Sequence, residues 1–278
     1  MTSENKANYD RAPERNDPRI VTANTILTSS SKYLNHAGLR NWVATEYLRR
    51  PDPEYDSYSP VLELYEHCLA LSDIDAMNAA FREARRVDPD LDRWFDRAYL
   101  ADYRNLDGLA SLPPGTLGRE FYDEFIVRRD LKPDFLPDFR PEHEVDYWLR
   151  RAQQIHDIHH IITESPLNNG GEVRIIGIYM GNWTAHLPPY LASQVCAYNS
   201  LLVHAFMTRI ALHKTEAWAP YIAALHEGAT MGMAMRPLYL PEYERMWDVP
   251  ISRIQSEMRI RQPDERVDTE WLAELAPA

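Results

Sequence analysis

Residues 141–172 read PEHEVDYWLRRAQQIHDIHHIITESPLNNGGE. Pro141 suits the first turn of a helix, where its missing N–H is not needed, and Glu142 and Glu144 suit the positive end. Val145, Leu149 and Ala152 follow at three- and four-residue steps, the spacing of one helical face. Extending that stripe by whole turns reaches His156 and His160, while Arg150, Arg151 and Gln154 are expected on the wet side. The run Ser165-Pro166-Leu167-Asn168-Asn169-Gly170-Gly171 is rich in turn residues and should end the helix. Glu172 then opens another apolar segment, Val173 to Tyr179, and can fold back on the helix.

This layout brings two imidazoles, His156 and His160, together with two carboxylates, Asp157 and Glu172. Asp157 lies at the edge of the arc that the histidines share. An ionised carboxylate buried beside imidazoles is costly unless it is paired or bound to a cation. The four side chains are therefore candidate ligands of one divalent ion, and a set without sulfur fits zinc, iron, manganese or cobalt alike. The competing reading is structural, because a lone core histidine is more often a hydrogen-bonded packing residue. Sets of His and carboxylate are also less specific than paired Cys-x-x-Cys sites.

Working outward, helical spacing recurs in Pro60 to Leu71, Ile74 to Arg86 and Pro89 to Leu100. Thr116 suits the N-cap of a helix carrying Leu117, Phe121, Tyr122 and Phe125. A Pro-rich stretch, Lys132 to Pro141, should be a rigid loop into the histidine-bearing helix. Further helices are expected over Leu191 to Leu212, Ala217 to Met235 and Ile251 to Ile260. Alternating strands and internal repeats are absent from the pattern. The fold expected is all-α, a single-domain irregular helical bundle over residues 21–262, with a disordered leader over 1–20 and a tail over 263–278.

A formal net charge of −12 over 278 residues gives no basic footprint for nucleic acid and no general attraction to an anionic bilayer. The two cysteines, Cys68 and Cys196, lack ligand-like neighbours and read as free thiols. The first twenty residues carry Glu4, Asp10, Glu14 and Asp17 and no apolar core, unlike a targeting signal. The uncharged run from Ile175 to Thr208 is broken by Pro188-Pro189 and carries His186, Gln194, Asn199 and His204, which suits a bundle centre better than a membrane span. A cytoplasmic protein, or one lying peripherally on the inner face of a membrane, is expected.

His-Asp-x-x-His, eleven residues and then Glu resembles the signature of the coenzyme Q biosynthesis protein four family. Leu112-Pro113-Pro114-Gly115-Thr116-Leu117-Gly118-Arg119-Glu120 is similar to that family's Pro-x-Gly-Thr-x-Gly segment. Gly232-Met233-Ala234-Met235-Arg236-Pro237-Leu238 and Tyr243-Glu244-x-x-Trp247-x-x-Pro250 resemble its closing block. The likeness runs over residues 60 to 260. The chain departs from the family in Gln153-Gln154 where the family often has Arg-Glu, in Tyr243-Glu244 where it has Trp-Glu, and in a longer, more irregular stretch up to about residue 57.

The resemblance implies a metal-dependent enzyme of ubiquinone-type biosynthesis that oxidatively decarboxylates a prenylated aromatic-ring precursor, putting hydroxyl in place of carboxylate. It implies His156, Asp157, His160 and Glu172 as ligands of one divalent ion, zinc foremost. It also implies a prenylated quinone precursor or similar lipid as partner, other quinone-biosynthesis enzymes as associates, and a homo-oligomer. Leu187, Tyr190, Leu191, Leu201, Leu202 and Phe206 would then suit the polyprenyl tail. The alternative is a non-catalytic, prenyl-lipid-binding scaffold that organises other enzymes. A phosphohydrolase of the His-Asp class fits less well, since its extra upstream histidine would have to be His143, on the same helix. Backbone amides near Thr116 with Arg119 could hold an anion, and Arg236 could meet a carboxylate, although a turn and a surface arginine explain both.

Overall fold

Acidic residues start two of the early helices. Asp73 and Asp88 accept hydrogen bonds from the first free amides of the helices they precede, Asp73 from Ala76 and Asp88 from Asp90 and Leu91. The computed structural model describes residues 30–50, 58–129 and 139–262. The expected leader, the expected tail and most of the Lys132 to Pro141 loop lie outside the described residues. The α-helices are α1 (Lys32–Asn35), α2 (Ala37–Leu48), α3 (Tyr58–Leu71), α4 (Ile74–Val87), α5 (Pro89–Arg97), α6 (Leu117–Phe121), α7 (Glu144–Thr163), α8 (Asn169–His186), α9 (Pro189–His213), α10 (Trp218–Ala234) and α11 (Ile251–Met258). No strand occurs among the described residues, and the all-α expectation holds.

Helix α7 runs through the middle of the bundle, and this overturns the expectation of a wet side. Arg150, Arg151 and Gln154 are all buried, whereas Leu149, Ala152 and His156 are half-exposed. The reason is an ion pair that hydrophobic periodicity does not reveal. Arg151 Nη1 and Nη2 lie 2.8 Å and 3.1 Å from the two carboxylate oxygens of Glu244, in a bidentate pair. Tyr103 adds its hydroxyl proton to Glu244, and Gln154 exchanges hydrogen bonds with the backbone of Ala101. Taking either charge out of water alone would be costly; together they are held by mutual attraction, by the Tyr103 hydroxyl on Glu244 and by the Gln154 side chain on Arg151.

The second organising contact is between α8 and α10, which approach until backbone meets backbone. Gly177 and Gly181 on α8 face α10, and Gly228 and Gly232 on α10 face α8. A methyl group on Gly232 would sit 2.1 Å from the carbonyl oxygen of Ile178, and one on Gly181 would sit 2.2 Å from that of Ala229. Each pair has the small-x-x-x-small spacing that lets helices close up. Asn182 fixes the end of the contact, donating to the carbonyls of Gly232 and Arg236 and accepting from the amide of Leu238.

The sequence segments around Thr116 and Pro250 pair directly. The amides of Leu117 and Gly118 donate to the carbonyls of Val249 and Trp247, and that of Ile251 to Gly115. Those amides are thus taken, leaving no anion cradle, and Gly115 adopts the left-handed backbone (φ +81°) that the turn needs. Thr116 stands at the N-cap position, yet its hydroxyl donates back to the Pro113 carbonyl and caps nothing. Arg119 is engaged by Asp123 and the Ala110 carbonyl.

Three further corrections concern element boundaries and use. Gly170 and Gly171, expected in a turn, form the first turn of α8. Asn168 caps that turn through the Gly171 amide, and a side chain on Gly171 would strike the Pro166 carbonyl. Part of the irregular stretch before residue 57 is helix α2, fastened to α9 by Glu46, which pairs with Arg49 and with Arg209. The residues assigned to a prenyl tail are divided among several packing clusters. Leu187 and Leu191 belong to the main core, while Leu201 and Leu202 pack towards α2 and Phe206 towards Val173. By length and composition α9 is apolar enough to cross a membrane, although it packs against several helices here.

Replacing Gly232 by Ala is expected to destabilise the fold by about 1–3 kcal/mol through overpacking, measured by denaturant unfolding. Gly108, with open space around its Cα, supplies the control: Gly108→Ala should stay within about 0.5 kcal/mol of the parent.

Candidate metal centre

The site forms where α7 ends and α8 begins. Helix α7 stops at Glu164, which takes the left-handed conformation (φ 51°) while its amide and that of Ser165 bond back to Ile161 and His160. The short connection through Asn168 then reverses the chain, and Glu172 lies in the first turn of α8, where the positive helix end favours a carboxylate. Glu172 is thereby aimed at the last two turns of α7.

His156, His160 and Glu172 come together, with ligand atoms all within 4.8 Å of one another. The two Nε2 atoms are 3.3 Å apart. Glu172 Oε1 is 3.1 Å from His160 Nε2, and Oε2 is 3.6 Å from His156 Nε2. Asp157, the fourth expected ligand, is half-buried beside the site but does not join this cluster. One residue on from His156 around the helix, its carboxylate leaves the shared face.

The hydrogen bonds fix which nitrogen points inward. His160 Nδ1 lies 3.0 Å from the Ser165 carbonyl, which can only accept, so Nδ1 carries the proton and a neutral His160 offers the Nε2 lone pair. Three acceptor atoms therefore converge, and a positive charge, either a proton on an imidazole or a cation, must lie among them. A nitrogen and oxygen donor set of this kind fits a divalent transition metal. The opening suits it too: the His160 side chain is 1% exposed, but those of His156 and Glu172 are 35% and 37% exposed.

Without a metal the charges balance internally. Burial pulls the His156 imidazole down, but the Glu172 carboxylate outweighs it and holds the group at about 9. Burial pushes Glu172 up, yet His160 and His156 keep it well below the usual carboxylate range. Asp157 is raised by burial, only partly countered by the two histidines.

A second layer stands behind the first. Tyr179 places its hydroxyl 3.2 Å from His156 Nδ1 and 2.9 Å from His159 Nδ1. His159 is buried, and desolvation lowers it to about 3, so it is neutral. Sequence reasoning missed both residues as functional neighbours. The signal was present in the spacing, since Tyr179 follows Glu172 by two helical turns and His159 follows His156 by one. Tyr243, from the closing segment, packs edge-on against His159 with ring centroids 5.4 Å apart. Arg236, a candidate for a substrate carboxylate, is exposed, and its backbone amide and carbonyl are used in packing.

A family model described as coenzyme Q (ubiquinone) biosynthesis protein Coq4 matches residues 97–264. The chain is similar to the mitochondrial ubiquinone biosynthesis protein COQ4 of Saccharomyces cerevisiae (strain AWRI1631), at 25% identity over 163 residues, covering 57% of this chain and 44% of the yeast protein. It is similar to the mitochondrial COQ4 homolog of Bos taurus at 26% identity, covering 58% of this chain and 56% of that protein. The chain thus spans about half the length of these relatives. A crystal structure of a protein from Nostoc punctiforme PCC 73102, provisionally assigned to ubiquinone biosynthesis, superposes with a TM-score of 0.57 at 19% identity, covering 80% of this chain and 99% of that one. At that identity the likeness is one of fold.

Because His156 must shed its Nε2 proton to accept a cation, apparent zinc affinity should rise about tenfold per pH unit up to the raised value and flatten above it. The flattening is expected near pH 9, and Glu172→Gln, which removes the charge that raises His156, should move it towards the ordinary histidine range. Competition titration with a chromophoric chelator across pH 6 to 10 measures both effects, with the chelator's own protonation taken into account.

Proposed function

Because the chain belongs to the Coq4 family of coenzyme Q (ubiquinone) biosynthesis proteins, we propose that it is a metal-dependent enzyme of that pathway, acting on the aromatic ring of a prenylated precursor. The reaction proposed replaces the ring carboxylate by hydroxyl. The bond from the ring to its carboxylate breaks with release of carbon dioxide, a ring–oxygen bond forms to a water oxygen, and the two electrons and two protons released pass to dioxygen, giving hydrogen peroxide. The observation that carries this reading is the convergence of His156 Nε2, His160 Nε2 and a Glu172 carboxylate on one point that is open to solvent on one side.

In this reading His156, His160 and Glu172 hold the ion, and Asp157, next to His156 on α7, adds negative charge beside them. A bound divalent ion supplies Lewis acidity towards carboxylate and phenol oxygens. The protein supplies the rest. His160 is locked by the Ser165 carbonyl, Glu172 is oriented by its place in the first turn of α8, and the partly exposed His156 and Glu172 side chains leave the site reachable from solvent. A structural zinc site would more often be closed and rich in cysteine, whereas this one is open and lacks sulfur.

The scaffold reading has one observation in its favour. Helix α10 exposes Trp218 and Ile222 in its first turns and Met233 near its end, apolar side chains available to lipid or to a protein partner. The relatives are named as mitochondrial, which does not match a cytoplasmic location for them. For this chain a peripheral position at a membrane that holds the lipid precursor agrees with either reading.

Turnover of a carboxylated prenylphenol, followed by mass spectrometry of the ring product, separates the two. The enzyme reading predicts that His160→Ala and Glu172→Gln lose more than the roughly 10–100-fold typical of outer-shell changes, with helical content unchanged. Turnover at the parent rate in both variants would refute it, and binding of the lipid without turnover by the parent would support the scaffold.

A further inference from the structure

The two histidines at the centre are oriented by different means. His160 donates its Nδ1 proton to a backbone carbonyl, that of Ser165. For His156 no carbonyl among the described residues plays that part; its Nδ1 faces the hydroxyl of Tyr179 at 3.2 Å. That hydroxyl also lies 2.9 Å from His159 Nδ1. A phenol has one proton, so it can donate to one of these nitrogens and must accept from the other.

The site decides the direction. His156 Nε2 faces Glu172 and His160 Nε2, so this is the nitrogen that must be free of a proton to bind a cation. The proton of a neutral His156 then sits on Nδ1 and is donated to the Tyr179 oxygen. Tyr179 in turn donates to His159 Nδ1, which places the proton of His159 on Nε2. The backbone of Leu238 lies beside the imidazole, and its carbonyl is the acceptor available to that proton. The His159 ring is therefore held by packing, by the Tyr179 bond and by the Leu238 backbone.

Packing makes this chain of donors rigid. The Tyr179 ring stacks on Trp183, with centroids 5.0 Å apart and planes 2° from parallel. His159 is held by Tyr179 on one side and by the edge-on ring of Tyr243 on another. Hydrogen-bond partners behind a ligating histidine fix its tautomer and ring orientation and raise its basicity.

We infer that Tyr179, backed by His159, is a positioning residue that holds His156 in the Nδ1-protonated form and thereby sets how tightly this site binds a divalent cation. The inference rests on the metal reading above. It separates the two histidines, since the orienting group is a replaceable side chain for His156 and backbone for His160.

Two measurements test it with zinc as the probe. In competition with a chromophoric chelator, Tyr179→Phe should bind zinc about 10–100-fold more weakly than the parent. The phenyl ring keeps the stack on Trp183, so the metal-free melting temperature should be close to the parent's. His159→Gln, which retains an acceptor for the hydroxyl, should keep more affinity than His159→Leu. Independently of any variant, long-range proton–nitrogen NMR spectra of the histidine-labelled, zinc-loaded parent should show His156 protonated at Nδ1 and His159 at Nε2. Parent-like zinc affinity in Tyr179→Phe, or a His159 protonated at Nδ1, would overturn the inference while leaving the metal site standing. A parent that takes up no zinc and no other divalent transition ion would overturn the metal reading, and the inference with it.

Discussion

The guanidinium of Arg174 is the tie on which the geometry of this protein depends. From α8 it pairs with Glu227 on α10 at 2.6 Å, donates to the carbonyls of Thr163 and Glu164 where α7 ends, and reaches Gln262 beyond α11. A buried cation is tolerable here because it meets a carboxylate and the negative end of a helix together. The consequence lies two residues away. With Arg174 fixed to the end of α7, the first turn of α8 cannot drift, and Glu172 is delivered to His156 and His160. The glycine contact between α8 and α10 keeps the rest of α8 in line.

The conspicuous sequence segments prove to be braces around one centre. The Pro114-Gly115-Thr116 turn and the residues after it pair with the backbone on both sides of Pro250. Glu244 neutralises Arg151 inside α7, and Tyr243 seals His159. The residues that surround the centre thus act mostly by holding α7 and α8 in place, and the chemistry is left to a few side chains at their junction. Desolvation gives that economy its force: the closer the groups lie to the core, the less water competes for the charge that His156, His160 and Glu172 share.

Much of this was legible in the sequence for simple reasons. The helix carrying His156 and His160 follows from three- and four-residue spacing, and its end from the run of turn residues after Glu164. The return of Glu172 follows from the same turn. What the spacing could not show was the burial of Arg151 and Gln154, because their partners come from distant segments: Glu244 lies ninety-three residues from Arg151 and Ala101 fifty-three from Gln154. Periodicity reports which side of a helix is apolar, and it fails for a helix that buries Val145, Ile155 and Ile158 against the core and also buries Arg151 and Gln154 against polar partners. The turn residues Gly170 and Gly171 misled for a related reason. Gly171 is needed for the close approach to the Pro166 carbonyl, which a side chain would strike, and not for ending a helix. Asp157 illustrates the limit of motif spacing, which puts a residue near a site without turning its carboxylate into it.

The central claim is that the acceptors of His156, His160 and Glu172 are gathered to hold one cation. Elemental mass spectrometry of protein purified without added metal, beside His156→Ala and Glu172→Ala variants, tests it most directly. One transition-metal ion per chain in the parent, and none in either variant, is the result this account predicts. A parent without metal, even after reconstitution with zinc, iron, manganese or cobalt, would contradict it.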